Sequence, residues 1–150
     1  MGEALRVATL LAATLVLFAG GGPVYGLPGP SVIRVIVTGV TSSRGHIRVD
    51  ICTRQTFLKD CVYSGAAPSV PGTTVVLVQG VPPGVYAAQV YQDKNDNHQV
   101  DRDMLGIPSE GVGFSNDAPI RLSPPSFNAA AFTYAGGEKT ISLQLRRFFH

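Results

Sequence analysis

The chain has 150 residues, 12 Lys and Arg against 10 Asp and Glu, and a formal net charge of +2 at pH 7. This length predicts one domain, and the near-neutral balance argues against a nucleic-acid-binding protein, which needs a clustered basic face. The 17 Gly and 11 Pro disfavour regular helix, and no long helical apolar stripe follows the first 26 residues. The composition therefore predicts an all-β fold.

Residues 1–26 are predicted to be a signal peptide. Glu3 and Arg6 are the charged side chains of its start, an uncharged apolar run covers residues 7–19, and Gly and Pro end that run. A run of 13 residues suits a secretory h-region and is shorter than the ~20 residues that span a bilayer. An uncleaved membrane anchor is the alternative. Cleavage is expected between residues 19 and 26. Residues 27–150 would then form a periplasmic or secreted domain without a further membrane span.

Alternation of apolar and polar residues predicts six strands, at residues 31–40, 46–52, 73–79, 85–91, 129–135 and 139–147. In five of these strands the apolar residues that share a face are expected to point into the core: Ile33, Val35 and Val37; Ile47, Val49 and Ile51; Val75 and Leu77; Tyr86, Ala88 and Val90; and Ile141, Leu143 and Leu145. The pattern also admits a seventh strand at residues 118–122. Short links predict antiparallel hairpins between the first two strands and between the last two. Short strands with turn signals at this spacing indicate a single antiparallel Greek-key β-sandwich of about seven strands with one long polar loop.

Cys52 and Cys61 are the two cysteines of the chain. In an exported protein they are expected to form a disulfide. A zinc site is the alternative, but it needs two more ligands, and His46, His98 and His150 show no zinc-like spacing.

The polar centre of the chain, residues 91–116, contains the pattern of a calcium-binding loop. Asp93, Asn95, Asn97, Gln99 and Asp101 place oxygen atoms at positions 1, 3, 5, 7 and 9, and alternate residues of such a loop face the ion. In this hypothesis Gln99 is a backbone ligand and the other four are side-chain ligands.

Two positions depart from that pattern. Position 6, where the loop turns sharply, is His98 in place of Gly, and position 12 is Met104, so Asp103 or Glu110 would have to supply the missing carboxylate. Such a site should bind calcium with a dissociation constant of about 10⁻⁴–10⁻³ M, the range of extracellular modules. The alternative is a loop without an ion, in which the Asp and Asn side chains cap their own backbone.

Catalytic patterns are weaker. Residues 113–117 begin like the G-x-S-x-G nucleophile turn but end on Asp117. A carboxylate pair for glycoside hydrolysis requires a separation that the sequence does not determine. We therefore predict a non-enzymatic binding or accessory module with a protein or carbohydrate partner in the cell envelope. The alternatives are a glycosidase- or esterase-like hydrolase that uses carboxylates of the loop, and a purely structural envelope domain. The candidate ligand-loop residues are Glu110, Phe114, Ser115 and Asn116.

Four blocks together resemble the bacterial domain-of-unknown-function family 2141. They are G-V-P-P-G-V-Y-A-A at 80–88, D-x-N-x-N-x-x-x-D at 93–101, L-G-I-P-S-E-G-V-G-F-S-N at 105–116 and P-P-S-F-N-A-A-A-F at 124–132. The resemblance covers residues 33–145 and implies an exported bacterial domain without an assigned activity. The family's loop typically reads D-E-N-G-N-G-K-x-D, from which Lys94 and His98 depart. Gly84 and Tyr86 after a Pro turn are also similar to transthyretin-like and carboxypeptidase-regulatory sandwiches, which implies a fold and no function.

Overall fold

The computed structural model describes residues 29–147, and the predicted signal peptide at residues 1–26 lies outside the described residues. Two short helical turns are present, a 3₁₀ turn at Ser115–Asp117 and α1 at Phe127–Ala130. Neither helical turn of residues 29–147 has the length and apolar character that a membrane crossing requires. The all-β prediction is confirmed by the eight strands of the described part of the chain: β1 (Val32–Val40), β2 (His46–Cys52), β3 (Tyr63–Pro68), β4 (Gly72–Gln79), β5 (Gly84–Asp93), β6 (Val112–Phe114), β7 (Ala131–Tyr134) and β8 (Glu138–Gln144).

The strands form two sheets. The three-stranded sheet has the order β4–β1–β8, and the five-stranded sheet has the order β3–β2–β5–β6 with β7 also paired to β5. Every pair in the five-stranded sheet is antiparallel. In the other sheet β1 is antiparallel to β4 but parallel to β8. The structure therefore has eight strands and one mixed sheet, which corrects the prediction of about seven strands in an antiparallel arrangement.

Both predicted hairpins are wrong, because each pair of strands is divided between the two sheets. β1 and β2 lie in different sheets, and so do β7 and β8. Stacked sheets are ~10 Å apart, and an extended chain advances roughly 3.3–3.6 Å per residue. The short links at residues 41–45 and 135–137 can therefore reach the other sheet as easily as a neighbouring strand.

Alternate residues of both sheets meet in one core. Ile33, Val35 and Val37 of β1 face the interior as predicted, and Leu143 of β8 lies beside them. The five-stranded sheet contributes the predicted inward faces of β2 and β5. In β4, however, Val76 and Val78 are buried, whereas Val75 and Leu77, the face that we singled out in the sequence, are 41% and 46% exposed. Residues 75–78 are apolar at every position, so periodicity alone does not distinguish the two faces.

A second, smaller apolar cluster lies on the outer face of the five-stranded sheet. Cys52, Ala87 and Phe114 belong to the strands, and Phe57 and Phe127 cover them. The ring of Phe57 makes edge-to-face contacts with the rings of both Phe114 and Phe127, each at 5.8 Å between centroids. This cluster holds the irregular segments of the chain against the sheet.

The predicted disulfide is confirmed. Cys52 at the end of β2 bonds to Cys61, which precedes β3, so the link between these two strands is closed covalently. The segment at residues 118–122 is irregular, which corrects the expectation of a strand there. Two strands were not predicted, β3 and β6. β3 reads Y-S-G-A-A-P and β6 has only three residues, so neither shows a useful alternation.

Candidate functional site

Asp93, the last residue of β5, is fully buried. Its Oδ2 atom accepts hydrogen bonds from Arg48 Nε at 2.5 Å and from the backbone N–H of His98 at 2.9 Å, and its Oδ1 atom accepts one from the backbone N–H of Asn97 at 3.1 Å. Burial raises the pKa of Asp93, but the hydrogen bonds from Arg48 and the two backbone amides outweigh burial, so the pKa lies below its ordinary value of 3.8. Asp93 is thus an ionised carboxylate that holds the start of the loop after β5 against Arg48 of β2.

Two neighbouring features hold this end of the loop in place. Gly45 has a φ of +64°, and a Cβ atom built on it would lie 1.8 Å from the backbone oxygen of Asp93, so a side chain cannot be accommodated. Asp96 accepts a hydrogen bond from His46 Nδ1 at 2.6 Å when the ring carries a proton there, and it lies 3.5 Å from Arg48 Nη2. The start of the loop is therefore attached to β2 at two points.

The loop between β5 and β6, residues 94–111, satisfies much of its own polar surface. The Oδ1 atom of Asn95 accepts from the backbone N–H of Asn97 at 3.2 Å, and the Oδ1 atom of Asn97 accepts from that of Gln99 at 3.0 Å. The side-chain amide groups of Asn95 and Asn97 each donate to one carboxylate oxygen of Asp101 at 2.7 Å. Three of the predicted metal ligands therefore meet at one place.

Glu110 clamps the two ends of the predicted calcium loop. It is 3% exposed, and its two oxygens accept hydrogen bonds from the backbone N–H groups of Lys94, at 2.8 Å, and Asp101, at 3.2 Å. Asp103 lies further along and accepts two backbone N–H bonds of 2.9 Å within its own turn. Both carboxylates considered as the missing ligand at position 12 are thus bonded to backbone amides.

The donor set fits calcium only in part. Among residues 29–147, no group of three or more His, Cys, Asp or Glu side chains is arranged to hold a metal ion. The amide oxygens of Asn95 and Asn97 face their own backbone and would have to turn toward an ion that Asp101 binds. In favour of the hypothesis, His98 at position 6 has a φ of +65°, the conformation that the sharp turn of a calcium loop needs.

A groove of about 680 Å³ lies beside this loop on the outer face of the five-stranded sheet. Tyr91, Val112 and Phe114 of β5 and β6 line its floor. Two irregular segments supply its walls, Arg102 with residues 105–108 on one and residues 120–124 on the other. The volume falls within the roughly 300–1,000 Å³ that is usual for small-molecule sites. The groove is thus an open, largely apolar site built by the two longest irregular segments after β5.

A family model described as an uncharacterized protein conserved in bacteria, DUF2141, matches residues 35–142. This match covers more than two thirds of the chain and includes the loop and both walls of the groove. The chain belongs to the DUF2141 family. No curated protein and no solved structure gives a significant match. The resemblance indicated by the four sequence blocks is confirmed, and the DUF2141 description assigns no activity.

The four candidate ligand-loop residues of this DUF2141 chain have different environments. Glu110 is the buried clamp, and Ser115, 1% exposed, accepts from the backbone N–H of Ala88 and donates to the backbone oxygen of Ala130. Asn116 is exposed, and its amide group donates to two backbone oxygens of the α1–β7 segment. Phe114, 8% exposed, is the one of the four that lines the groove.

A polar pocket of about 310 Å³ adjoins the groove, with Tyr91 between the two. Burial raises the pKa of Asp50 in this pocket above 3.8, and neighbouring Asp60 adds to the shift, while a hydrogen bond from Gln89 opposes it. Burial and the charge of Asp50 raise the pKa of Tyr91 to about 12. The Tyr91 hydroxyl is therefore neutral over the physiological pH range.

The walls of the groove were missed by sequence reasoning. Leu105 and Leu122 line it and are 81% and 107% exposed, and Met104 beside them is 103% exposed. A signal was available, because large apolar residues occur in two segments whose Pro and Gly residues and charges exclude regular strands. Exposed apolar side chains in loops indicate a contact surface more often than a core.

Proposed function

We propose that this DUF2141 chain is an exported, non-enzymatic binding module that takes its ligand in the groove on the outer face of the five-stranded sheet. The observation that carries the proposal is the groove itself, an open site of about 680 Å³ with Tyr91, Val112 and Phe114 at its floor. Apolar sites of this size with a few polar groups at the edge are the usual form of small-molecule sites.

The environment of the loop carboxylates supports binding over catalysis. Asp93 and Glu110 are buried and accept hydrogen bonds from the protein itself, and Asp101 accepts from two Asn side chains. A general acid or base needs access to the substrate's proton. A hydrolase remains the alternative, and Asp50 and Asp60 in the polar pocket are then its nearest candidates. Turnover of chromogenic glycosides or esters that Asp50→Asn or Asp101→Asn abolishes would replace the binding proposal.

Binding of the neutral, environment-sensitive dye Nile red tests the groove. We expect the wild-type protein to bind the dye with a blue-shifted emission and the double variant Leu105→Ser/Leu122→Ser to bind it about 30-fold more weakly. This estimate takes about 1 kcal/mol for each leucine, below the 1.5–3 kcal/mol of full burial because the groove is open. Neither substitution should change folding, since both side chains are largely exposed.

Val62→Ser is the matched control, because Val62 is 80% exposed and lies outside the groove. It should leave dye binding unchanged. Equal binding by the wild type, the double variant and the control would show that the dye binds elsewhere and would count against the groove as the ligand site.

We also propose that the predicted loop binds calcium weakly, with Asp93, Asn95, Asn97 and Asp101 as side-chain ligands and the backbone oxygen of Gln99 as the fifth. The approach of Asn95 and Asn97 to Asp101, 2.7 Å in each case, supports this proposal. Because the hydrogen bonds within the loop compete with the ion, we expect a dissociation constant near the weak end of about 10⁻⁴–10⁻³ M.

A calcium titration followed by thermal unfolding decides between an ion-ordered and a self-capped loop. At 10 mM calcium and a dissociation constant of about 1 mM, the free energy of unfolding should rise by about 1.4 kcal/mol. Asp101→Asn should abolish the rise, whereas Asp60→Asn, an exposed carboxylate outside the loop, should not. An unchanged wild-type melting temperature in calcium, relative to EGTA, would establish the loop as self-capped.

For localisation and architecture we propose a periplasmic or secreted Greek-key β-sandwich of the transthyretin-like kind. The disulfide between Cys52 and Cys61 is compatible with an extracytoplasmic location. The shared core of the two sheets and the repeated passage of the chain between them support a sandwich. Detection of the mature chain in the periplasmic or culture fraction would test the location.

A further inference from the structure

Positive charge lies on both walls of the groove, and among residues 29–147 no Asp or Glu lines it. Arg102 belongs to one wall and Arg121 to the other, and both are exposed. The ion pairs formed among residues 29–147 involve Arg34, His46 and Arg48, so neither wall arginine is paired with a carboxylate there. The rim of the groove is therefore complementary to an anion.

Most of the donors of these guanidinium groups are available. Arg102 donates one hydrogen bond, of 2.9 Å, from Nη1 to the backbone oxygen of Gly106, which holds the side chain along its wall. A guanidinium group carries five N–H donors in a planar fork that matches the two oxygens of a carboxylate.

The interior of the groove offers few polar groups to a ligand. Gln89 lines it, but the amide nitrogen of Gln89 donates to Asp50 and to the backbone oxygen of Lys59, and its oxygen accepts from the backbone N–H of Leu58. Tyr91 lies at the border with the polar pocket. A carbohydrate would lose the hydration of its hydroxyl groups on such a floor without gaining equivalent hydrogen bonds.

We infer that the groove binds a single-chain anionic amphiphile of the fatty-acid type as a monomer. The alkyl chain lies along the floor formed by Val112 and Phe114, and the carboxylate lies at the rim between Arg102 and Arg121. This inference rests on the proposed function and adds the chemical class of the ligand. It also changes the expected partner from a protein or carbohydrate of the envelope to a lipid-like molecule.

Three probes with the same twelve-carbon chain separate the contribution of the tail from that of the headgroup. Dodecanoate, dodecyltrimethylammonium and dodecan-1-ol, each below its solubility or micelle limit, are titrated against protein that carries Nile red. We expect dodecanoate to displace the dye at a concentration about 10-fold or more below that of the cation, with the alcohol between them.

Equal displacement by all three probes would show that the groove binds a ligand but does not prefer an anion. If the dye binds but none of the probes displaces it, the ligand is not an amphiphile of this type. If the dye does not bind at all, the groove is not the binding site, and the proposed function fails as well.

Variants of the rim assign the charge effect to named residues. Arg121→Gln should weaken dodecanoate binding by about 1.4- to 5-fold, the range for an exposed ion pair, and should leave dodecan-1-ol binding unchanged. Arg121→Glu should weaken dodecanoate binding further, because repulsion replaces attraction. Arg34→Gln is the control, since Arg34 pairs with Glu138 in the other sheet. If Arg34→Gln weakened dodecanoate binding as much as Arg121→Gln, the effect would not come from the rim. If Arg121→Gln weakened dodecan-1-ol binding equally, Arg121 would not act through the carboxylate.

A vesicle experiment separates monomer uptake from adsorption to a membrane surface. Leu122 and Met104 protrude at the rim, and exposed apolar side chains beside basic residues can also insert into an anionic bilayer. We expect the protein to stay in the supernatant when vesicles of phosphatidylglycerol are sedimented. Co-sedimentation that Leu122→Ser abolishes would overturn monomer uptake in favour of a membrane-docking surface.

Discussion

Replacement of Asp93 by Asn tests whether one buried carboxylate holds the start of the long loop. The variant keeps the shape of the side chain but removes the charge that pairs with Arg48. It also leaves one acceptor oxygen where two now receive hydrogen bonds from Arg48, His98 and Asn97. An NH₂ group then faces N–H donors, and the guanidinium group of Arg48 keeps only the more distant carboxylate of Asp96, 3.5 Å from Nη2.

The expected loss of stability follows from the burial of the pair. Removal of one member of a buried ion pair costs about 3–5 kcal/mol. The side chain of Arg48 is still 19% exposed, and a single loop covers Asp93, so we expect the lower value of about 2–3 kcal/mol. For a domain of this size each kcal/mol corresponds to roughly 3–5 °C, which predicts a melting temperature about 6–15 °C below that of the wild type.

The pH dependence has a definite sign. The pKa of Asp93 is lower in the folded protein than the ordinary value of 3.8. Its contribution is therefore complete at pH values above that ordinary value and is lost as the pH falls through the lower folded-state pKa. The stability difference between the wild type and Asp93→Asn should be constant from about pH 7 to pH 5 and should decrease below about pH 4.

Urea unfolding monitored by far-UV circular dichroism measures this difference at each pH. Asp60→Asn is the matched control, because it removes the same charge from an exposed position and should change the free energy of unfolding by less than about 0.5 kcal/mol. A loss below about 1 kcal/mol for Asp93→Asn at pH 7, or a difference that persists unchanged at pH 3, would refute the proposed role of the ion pair.

Three further perturbations test the packing around the groove. Phe114→Ala removes the edge contact with Phe57 and should cost about 3–4 kcal/mol; a loss below about 1 kcal/mol in urea unfolding would mean that Phe114 is a ligand contact and not a packing residue. Reduction of Cys52–Cys61 should lower the free energy of unfolding by about 2.7 kcal/mol, the value for a closed loop of about ten residues. Equal melting temperatures in calorimetry with and without a reductant would contradict this. Ser115→Ala should cost about 1–3 kcal/mol, because the backbone N–H of Ala88 and the backbone oxygen of Ala130 lose their partner. If hydrogen exchange at the N–H of Ala88 did not increase, the two hydrogen bonds of Ser115 would have no structural role.

Much of the loop was accessible from the sequence. The spacing from Asp93 to Asp101 predicted a segment whose alternate polar side chains converge, and the structure brings Asn95, Asn97 and Asp101 together. The amide oxygens of both Asn residues, however, face their own backbone and not a common centre. The sequence did not distinguish a calcium-binding loop from a self-capped one, because the oxygen atoms of the same Asp and Asn side chains can bind an ion or accept hydrogen bonds from backbone N–H groups. The role of Glu110 was not predictable, since it lies nine residues beyond Asp101 and reaches the loop only through the fold.

The sequence by itself determined the β-class of the fold, the inward faces of β1 and β2, the disulfide and the family, because these depend on composition, on periodicity within a strand or on blocks of adjacent residues. The tertiary structure decided which sheet each strand joins, which face of β4 is buried and that β8 runs parallel to β1. It also decided that two irregular segments enclose a groove that both Arg102 and Arg121 line. Those features depend on contacts between residues that are far apart in the chain, and no local pattern records them.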